Sequence, residues 1–161
     1  MAGNHQLILP APFSGIRCLL GARIEGDRLV ALDYLFADIE PVEARTPLAR
    51  EVMEQLMAYF RDPTSRFELP MRVQGTPFQR RVWSALREIP VGETRTYGEL
   101  AKSLGSSPRA VGNACRSNPL PIVIPCHRVV SAQGPGGYAG QTGGRNMLIK
   151  RWLLAHEACQ R

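Results

Sequence analysis

The chain has 161 residues, 44% of them hydrophobic and 21% charged, with a formal net charge of +6. This balance is typical of globular proteins and excludes a disordered chain. No apolar run approaches the roughly twenty residues of a membrane-spanning helix, and the first residues lack the basic flank of a signal peptide, so we expect a soluble protein of the cell interior.

The first half of the chain predicts a mixed α/β region. Two strand-like runs within residues 16–36 surround Glu25-Gly26-Asp27, a sequence that favours a hairpin turn. Thr46 and Pro47 then have the pattern of an N-cap and a first helical residue, and Asp62-Pro63 ends the helix. Its apolar residues recur at helical spacing, at Leu48, Val52, Leu56 and Tyr59. This stripe indicates a core face rather than a cofactor pocket.

From residue 75 onward the sequence predicts helices with explicit start signals. Thr76 and Gln79 form a capping-box pattern, and the helix that follows has an apolar face of Phe78, Val82, Leu86 and Ile89. Thr96 and Glu99 form a second capping box, opening a short helix that Gly105 should end. We therefore divide the chain into an α/β domain, residues 1–74, and a mainly α domain, residues 75–161.

A third helix follows, opened by Ser107-Pro108 and broken before Asn118-Pro119. Two short helices joined by a tight turn form the pattern of a helix-turn-helix. The helix opened by Ser107-Pro108 has small residues at Ala110, Gly112 and Ala114, although Gly112 lowers helix stability by about 1 kcal/mol relative to alanine. With Arg109 at its start, this small face favours a DNA groove. Tight helix–helix packing is the alternative.

Charge is shared unevenly along the chain. Residues 76–161 carry 12 basic and 4 acidic side chains, a net charge of +8, whereas the residues before them carry a net charge of −2. This asymmetry indicates that the second half meets a polyanion. A solvated basic surface is the alternative that charge alone leaves open.

The four cysteines show no paired spacing of the kind that holds zinc or forms a disulfide framework; they are Cys18, Cys115, Cys126 and Cys159. We therefore expect free thiols and no metal.

Cys126 and His127 follow "PIVI", a run that predicts a buried strand or extended segment. A buried cysteine is most often inert, but a titratable neighbour in such a place is costly unless something uses it. A histidine that accepts the thiol proton would create a nucleophilic thiolate. Glu157 is the carboxylate left to orient that histidine once Glu99 is assigned to its capping box and the remaining two acidic residues to loop ends.

Several motifs in this half resemble those of the O6-alkylguanine-DNA alkyltransferases, also called methylated-DNA–protein-cysteine methyltransferases. They are "GTPFQRRVWSALREIPVGETRTYGELA", "RAVGNACRSNPLPIVIPCHRVV", "GYAG" and "KRWLLAHE". The resemblance runs from about Gly75 to Glu157. It implies a ribonuclease-H-like N-terminal domain with a small antiparallel sheet and helices, followed by a winged helix-turn-helix domain.

The resemblance implies direct DNA repair by irreversible, stoichiometric transfer of the alkyl group from O6-alkylguanine in duplex DNA, with O4-alkylthymine as a second expected substrate. Cys126 would accept the alkyl group once per molecule. His127 would act as general base through a water, with Glu157 orienting it, and Tyr97 would donate a proton to guanine N3. The damaged base would be flipped out through the minor groove, with Arg109 taking its place in the stack.

Other site residues are also implied by the resemblance. Asn118 would brace the turn before the active-site segment, and the carbonyls of Cys126 and Val129 would read the exocyclic amine of the base. Tyr138 and Ala139 would form the wall and lid of the pocket, and Arg128 would be structural. Ala110 and Gly112 would face the DNA. The protein would be a monomer in the cytoplasm, nucleoid-associated if bacterial, with cooperative binding to DNA left open.

One segment departs from the family pattern: residues 141–149 make a longer connection before "KRWLL", so we expect an altered lid there. His5 and Cys18 do not reproduce the N-terminal zinc set of some relatives. Two other functions stay open. One is a catalytically silent lesion binder or helix-turn-helix regulator, and the other is a cysteine hydrolase, which the adjacency of Cys126 and His127 disfavours.

Overall fold

The structure, a computed structural model, describes residues 4–134, 136–138 and 144–158. The chain divides into two compact units, Met1–Val73 and Gln74–Arg161. Within the described ranges, none of the helices combines the length and the apolarity that a membrane crossing requires.

The first unit is an antiparallel sheet with one helix. The strands are β1 (Leu7–Pro10), β2 (Leu19–Glu25) and β3 (Arg28–Leu35), in the order β1-β2-β3. The hairpin between β2 and β3 turns where the sequence predicts it, at Gly26, whose φ of 61° is readily adopted by glycine. Sequence patterns do not single out β1, which is only four residues long.

The helix of this unit, α1 (Pro47–Arg61), begins and ends as predicted. The Thr46 hydroxyl accepts a hydrogen bond from the Ala49 N–H at 3.1 Å, which satisfies one of the free donors of the first turn. The buried face consists of Ala49, Val52, Leu56 and Tyr59, so Ala49 replaces the predicted Leu48, which is half-buried.

The second unit contains α2 (Pro77–Arg87), β4 (Arg95–Thr96), α3 (Tyr97–Leu104), α4 (Pro108–Arg116), β5 (Val129–Val130) and α5 (Gly144–Ala158). Both predicted capping boxes are present, at Thr76 and at Thr96. Gly105 ends α3 in the left-handed conformation, as predicted. β4 and β5 pair in parallel, so Arg95 lies opposite Val129 and Thr96 opposite Val130. This pairing joins the start of α3 to the residues that follow Cys126.

The prediction of a lengthened loop over residues 141–149 is wrong for residues 144–149. Helix α5 already begins at Gly144. Met147 and Ile149 are buried. Because tertiary packing of buried side chains stabilises helices, these residues explain why the chain is helical here and not a loop. Residues 141–143 lie outside the described ranges.

Helix α4 also differs from the single small face predicted for it. Val111 and Ala114 are buried, and the Ala114 carbonyl accepts a hydrogen bond from Trp83 Nε1 at 2.8 Å. Ala110 and Gly112 are only half-buried, and Arg109 is exposed. Ala114 thus belongs to the packing of α4 on α2, whereas Arg109 remains available to a partner.

Candidate active site

The segment "PIVI" is buried as predicted, but the prediction of a strand or extended segment is wrong. Residues 121–124 form a turn, and Ile122 has a φ of 75°. The Ile124 N–H bonds back to the Leu120 carbonyl at 2.8 Å instead of to a neighbouring strand. The physical reason is the lack of N–H groups at the prolines that punctuate the segment, Pro119, Pro121 and Pro125.

Asn118 holds this turn at both ends. Its Nδ2 donates to the Ile124 carbonyl at 2.8 Å, and its Oδ1 accepts from the Leu120 N–H at 2.9 Å. The Ile124 carbonyl accepts a second bond, from the Cys126 N–H at 2.8 Å. Asn118 therefore fixes the backbone that delivers Cys126. The resemblance implies a brace at this position.

Cys126 begins a single 3₁₀ turn, Cys126–Arg128, and is 6% exposed. Burial raises the pKa of its thiol above the ordinary value. Hydrogen bonds from the Asn118 and Tyr138 side chains and the charge of Lys150 act in the opposite direction. At neutral pH the sulfur is therefore a thiol, and a base must remove its proton before it can act as a nucleophile.

His127 is fully buried, and its Nε2 lies 2.7 Å from Glu157 Oε2. Burial lowers the pKa of the imidazole, although Glu157 opposes this effect. The ring is therefore neutral at neutral pH. Because Glu157 can only accept, Nε2 carries the proton and Nδ1 carries the free lone pair. Among the described residues, Nδ1 has no hydrogen-bond partner, so it is the nitrogen that can take a proton.

Glu157 is held as an anion by two neighbours. Its oxygens accept from Arg128 Nε at 2.8 Å and from Arg128 Nη2 at 3.0 Å, in addition to the bond with His127. Burial alone would raise the pKa of this carboxyl, but the bonds from His127 and Arg128 outweigh it and hold the pKa far below 4.5. Arg128 also donates to the Ile89 carbonyl at 2.6 Å.

The pairing of Arg128 with Glu157 is a feature that sequence reasoning missed. The sequence predicts only a structural part for Arg128. The guanidinium neutralises the carboxylate, so Glu157 can orient the imidazole without turning it into an imidazolium. No spacing rule signals this contact, because the two residues are 29 positions apart.

Tyr97 is the first residue of α3. Its hydroxyl donates to the Gly137 carbonyl at 3.4 Å, and burial raises its pKa to about 12. Gly136 has a φ of 75°, and a β-carbon there would come within 2.9 Å of the Tyr97 ring. Only glycine therefore lets this backbone approach the ring.

Lys150 is the second feature that sequence reasoning missed. It is fully buried, and its Nζ donates to the Val129 carbonyl at 2.7 Å and to the Gly137 carbonyl at 2.8 Å. Val129 is one of the two residues whose carbonyls the resemblance assigns to base reading. A lysine within "IKRWLL" gives no sign of burial, so a structure was needed to find it.

The remaining predicted site residues differ in their exposure. Tyr138 is buried at 4% exposure, and Ala110 and Gly112 lie half-buried on α4, with Gly112 close to the Tyr97 ring. Arg109 is exposed at the start of α4. Ala139, the predicted lid residue, lies outside the described residues. Across the described ranges, no three side chains of the histidine, cysteine, aspartate or glutamate types cluster as metal ligands would.

Three comparisons with known proteins bear on this site. Residues 77–159 match the family described as 6-O-methylguanine DNA methyltransferase, DNA binding domain. The chain is 48% identical over 104 residues to the methylated-DNA–protein-cysteine methyltransferase of Methanosarcina acetivorans, a match that covers 63% of this chain and 67% of that protein. About two thirds of that relative's length is thus matched.

Solved structures of similar proteins extend the match to 96% of the chain. The crystal structure of Mycobacterium tuberculosis O6-methylguanine methyltransferase superposes with a TM-score of 0.78 at 35% identity, covering 96% of this chain and 92% of that one. A structure of OGT from the same organism in complex with DNA superposes with a TM-score of 0.76 at 35% identity, covering 95% and 92% of the two chains.

Proposed function

The chain belongs to the O6-methylguanine DNA methyltransferase family, as its motifs predict, and from this premise we propose that it repairs DNA by moving an alkyl group from O6-alkylguanine onto Cys126. The transfer is irreversible, so each molecule acts once. O4-alkylthymine, which also carries its alkyl group on an exocyclic oxygen, is the second substrate we propose.

The observation that carries this proposal is the buried pair of His127 and Glu157 directly beside Cys126. The 2.7 Å contact fixes the imidazole with its proton on Nε2, and Nδ1 is left to accept. Adjacent residues reach each other poorly for direct proton transfer, so a water relays the proton from the Cys126 thiol to Nδ1. Glu157, already paired with Arg128, keeps the imidazole in this tautomer.

The chemical step is a displacement at the alkyl carbon. The sulfur of Cys126 forms a bond to that carbon, and the bond between the carbon and guanine O6 breaks. The thiol proton goes to His127, and the departing guanine receives a proton at N3 from Tyr97. His127 then releases the thiol proton to solvent, Tyr97 recovers one from solvent, and the guanine exchanges its N3 proton for one at N1. The net change is one thioether and one restored guanine. No metal or organic cofactor is needed for this displacement.

A base stacked in duplex DNA cannot reach the sulfur of a residue that is only 6% exposed. The damaged nucleotide must therefore rotate out of the helix, and an alkylated guanine, which pairs poorly, costs less to extrude. Arg109 is exposed at the start of α4 and can fill the space left in the stack, entering from the minor groove. The half-buried Ala110 and Gly112 allow the backbone of α4 to approach the groove closely.

Base recognition would use backbone and pocket residues. The carbonyls of Cys126 and Val129 read the exocyclic amine, and a carbonyl can do so while it accepts a second bond, since each has two lone pairs. Asn118 positions this backbone, and Tyr138 forms a wall of the pocket. Ala139 is proposed as its lid.

We extend the proposal to the architecture of each unit. Helices α3 and α4 serve as the helix-turn-helix of a winged domain that binds DNA and carries the active site. The first unit is ribonuclease-H-like, a proposal that its antiparallel β1-β2-β3 sheet with α1 supports. The protein acts as a monomer on duplex DNA in the cytoplasm.

Intact-mass measurement tests this function. The wild-type chain is incubated with excess duplex DNA carrying O6-methylguanine. We expect a gain of about 14 Da that stops at one group per chain and maps to Cys126. Cys126→Ser is the matched control, because it replaces the sulfur with a smaller and far less nucleophilic oxygen and keeps the rest of the side chain. It should bind the duplex and gain no mass.

The same experiment separates the two other functions. A silent lesion binder would retard the duplex in a gel without any mass gain. A cysteine hydrolase would release product repeatedly and return to its starting mass. Either result would overturn the proposed transfer.

A further inference from the structure

Lys150 is a buried cation that the proposed chemistry does not use. It lies on α5 at 0% exposure, and both of its assigned hydrogen bonds go to uncharged backbone carbonyls. Among the described residues, none of the carboxylates forms an ion pair with it. Removing an ammonium group from water is unfavourable unless an opposite charge or strong hydrogen bonds compensate for the lost hydration. Two carbonyl contacts could be made by a neutral side chain at a much lower cost.

The two carbonyls belong to different segments of the site. Val129 follows the 3₁₀ turn that Cys126 begins, and its N–H bonds to the Cys126 carbonyl. Gly137 precedes Tyr138, and its carbonyl also accepts the Tyr97 hydroxyl. The ammonium of Lys150 is 5.9 Å from the centre of the Tyr97 ring. Lys150 therefore joins the segments that carry the nucleophile, the proton donor and the pocket wall.

Among the described residues, four titratable groups face this ammonium; all four are neutral at rest, and all but His127 can become anions. They are Tyr97 on α3, Cys115 on α4, and Cys126 and His127 on the 3₁₀ turn. Burial lowers the pKa of Lys150 to about 8, while negative charge on Cys126 or Cys115 would raise it. The cation is thus poorly stabilised before the reaction and becomes stabilised when the thiol ionises.

The position of Lys150 on its helix supports the same interpretation. Glu157 lies seven residues later, on the same buried face of α5 and about 10 Å further along its axis. One end of this face holds the carboxylate that orients His127, and the other end holds the cation whose charge lowers the pKa of the Cys126 thiol. The helix therefore supplies a group for each side of the proton transfer.

We infer that Lys150 is a positioning residue for the alkyl transfer, whose ammonium stabilises the negative charge that forms on the Cys126 sulfur as its proton leaves for His127. It also holds the Val129 and Gly137 carbonyls against the pocket. This inference rests on the proposed function for its biological meaning, but the charge effect on the sulfur can be measured without DNA.

The test compares the rate at which iodoacetamide alkylates Cys126 in the wild type and in Lys150→Gln, resolved by peptide mass between pH 6.5 and 9.5. Glutamine keeps a donor for the carbonyls and removes the charge. We expect the variant to react about tenfold more slowly at pH 7. We also expect the difference to narrow above pH 8, where Lys150 of the wild type loses its proton.

A purely structural lysine gives another result. A neutral amine still donates to both carbonyls, so a structural role predicts a ratio of the two rates that does not change with pH. An unchanged ratio, or equal rates at pH 7, overturns the inference. Arg151→Gln, at the exposed neighbouring position on α5, is the matched control and should react at the wild-type rate.

The wild type decides alone if Lys150→Gln does not fold. Because loss of the ammonium proton and gain of the thiolate charge then compensate, a plot of log rate against pH should flatten near pH 8. A slope of one through this interval overturns the inference. Since iodoacetamide requires no DNA, failure of alkyl transfer from O6-methylguanine with an intact pH effect would reject the proposed function and leave the role of Lys150 standing.

Discussion

The two units of this chain bury polar groups in different ways. In the first unit, the one buried polar side chain among the described residues is His5, which contacts Asp33 at 2.8 Å while Asp33 also pairs with Arg23 near the surface. In the second unit, the buried polar side chains are His127, Lys150 and Glu157. The core of the first unit is thus mainly apolar, whereas the core of the second unit contains three ionisable side chains.

This contrast shows where stability has been given up for chemistry. Each buried charge of the second unit would be replaced at lower cost by an apolar side chain if packing were the only requirement. Their partners converge on one sulfur: Glu157 acts through His127, and Lys150 acts through its charge and two carbonyls. The histidine of the first unit has no nucleophile beside it in sequence, and we assign it to packing and hydrogen bonding.

Matched substitutions of the two buried histidines should break the comparison most strongly. His127→Gln removes the proton acceptor, so single-turnover transfer from O6-methylguanine duplex should fall by about 10²- to 10⁴-fold. His5→Gln should lower stability and leave the transfer rate of the folded protein unchanged. Quenched-flow measurement of the alkylated fraction gives both rates. Equal slowing by the two variants would contradict the assignment of the base to His127.

Acid should destabilise the second unit through Glu157. The pKa of this carboxyl is depressed in the folded state, so its stabilising effect is complete above about pH 4.5 and is lost as pH falls from there toward the folded-state pKa. Glu157→Gln should lower the free energy of unfolding by about 3–5 kcal/mol at pH 7, because it leaves the Arg128 guanidinium without its carboxylate partner. The substitution should also make the free energy of unfolding depend less on pH below pH 4.5.

Tryptophan fluorescence can follow this effect in urea, because both tryptophans, Trp83 and Trp152, belong to the second unit. We expect the urea concentration at the unfolding midpoint to decrease as the pH is lowered in the wild type, and to decrease much less in the variant. Parallel curves for the two proteins would show that Glu157 does not control acid stability.

Substitution of an exposed arginine in each unit should sharpen the comparison on the DNA side. Arg109→Ala should slow repair of duplex DNA about tenfold, because extruding a base costs a few kcal/mol and Arg109 offsets part of that cost. Attack on free O6-methylguanine should be almost unaffected. Arg17→Ala, at an exposed arginine of the first unit paired with Asp38, is the control. Equal slowing on duplex and free base would remove the flipping role.

The smallest expected effect is one in which the two units behave alike. Thr46→Ala and Thr96→Ala each remove a side-chain bond that caps a helix, at 3.1 Å and 3.0 Å. Each should destabilise its helix by about 1 kcal/mol, read as faster amide hydrogen exchange within α1 or α3. Thr94→Ala, at an exposed loop position, should change neither. A much larger effect for Thr96 would indicate that α3 depends on contacts beyond its cap.

The sequence predicts the helices well because their signals are local. Each signal acts within one turn of the helix end that it sets. The signals are the capping boxes at Thr76 and Thr96, Pro47 after Thr46, and Gly105 at the end of α3. The hairpin between β2 and β3 is set by a similarly local turn. The short strand β1 carries no comparable signal, since its place is decided by pairing with β2.

Features that depend on distant partners could not be predicted in this way. The β-branched run before Cys126 resembles a strand, but its prolines and the bond from Asn118 turn it back on itself. Lys150 resembles a surface lysine until the carbonyls of Val129 and Gly137 are brought to it. Arg128 and Glu157 lie far apart in sequence, and only folding shows that they share one ion pair.

The central claim is that His127 is a neutral, oriented base whose free nitrogen is Nδ1, and ¹⁵N NMR of the histidine ring tests it most directly. At pH 7 we expect a shift typical of a protonated nitrogen at Nε2 and of a bare nitrogen at Nδ1, and Glu157→Gln should weaken this preference. An imidazolium ring, or a proton residing on Nδ1 in the wild type, would contradict the claim.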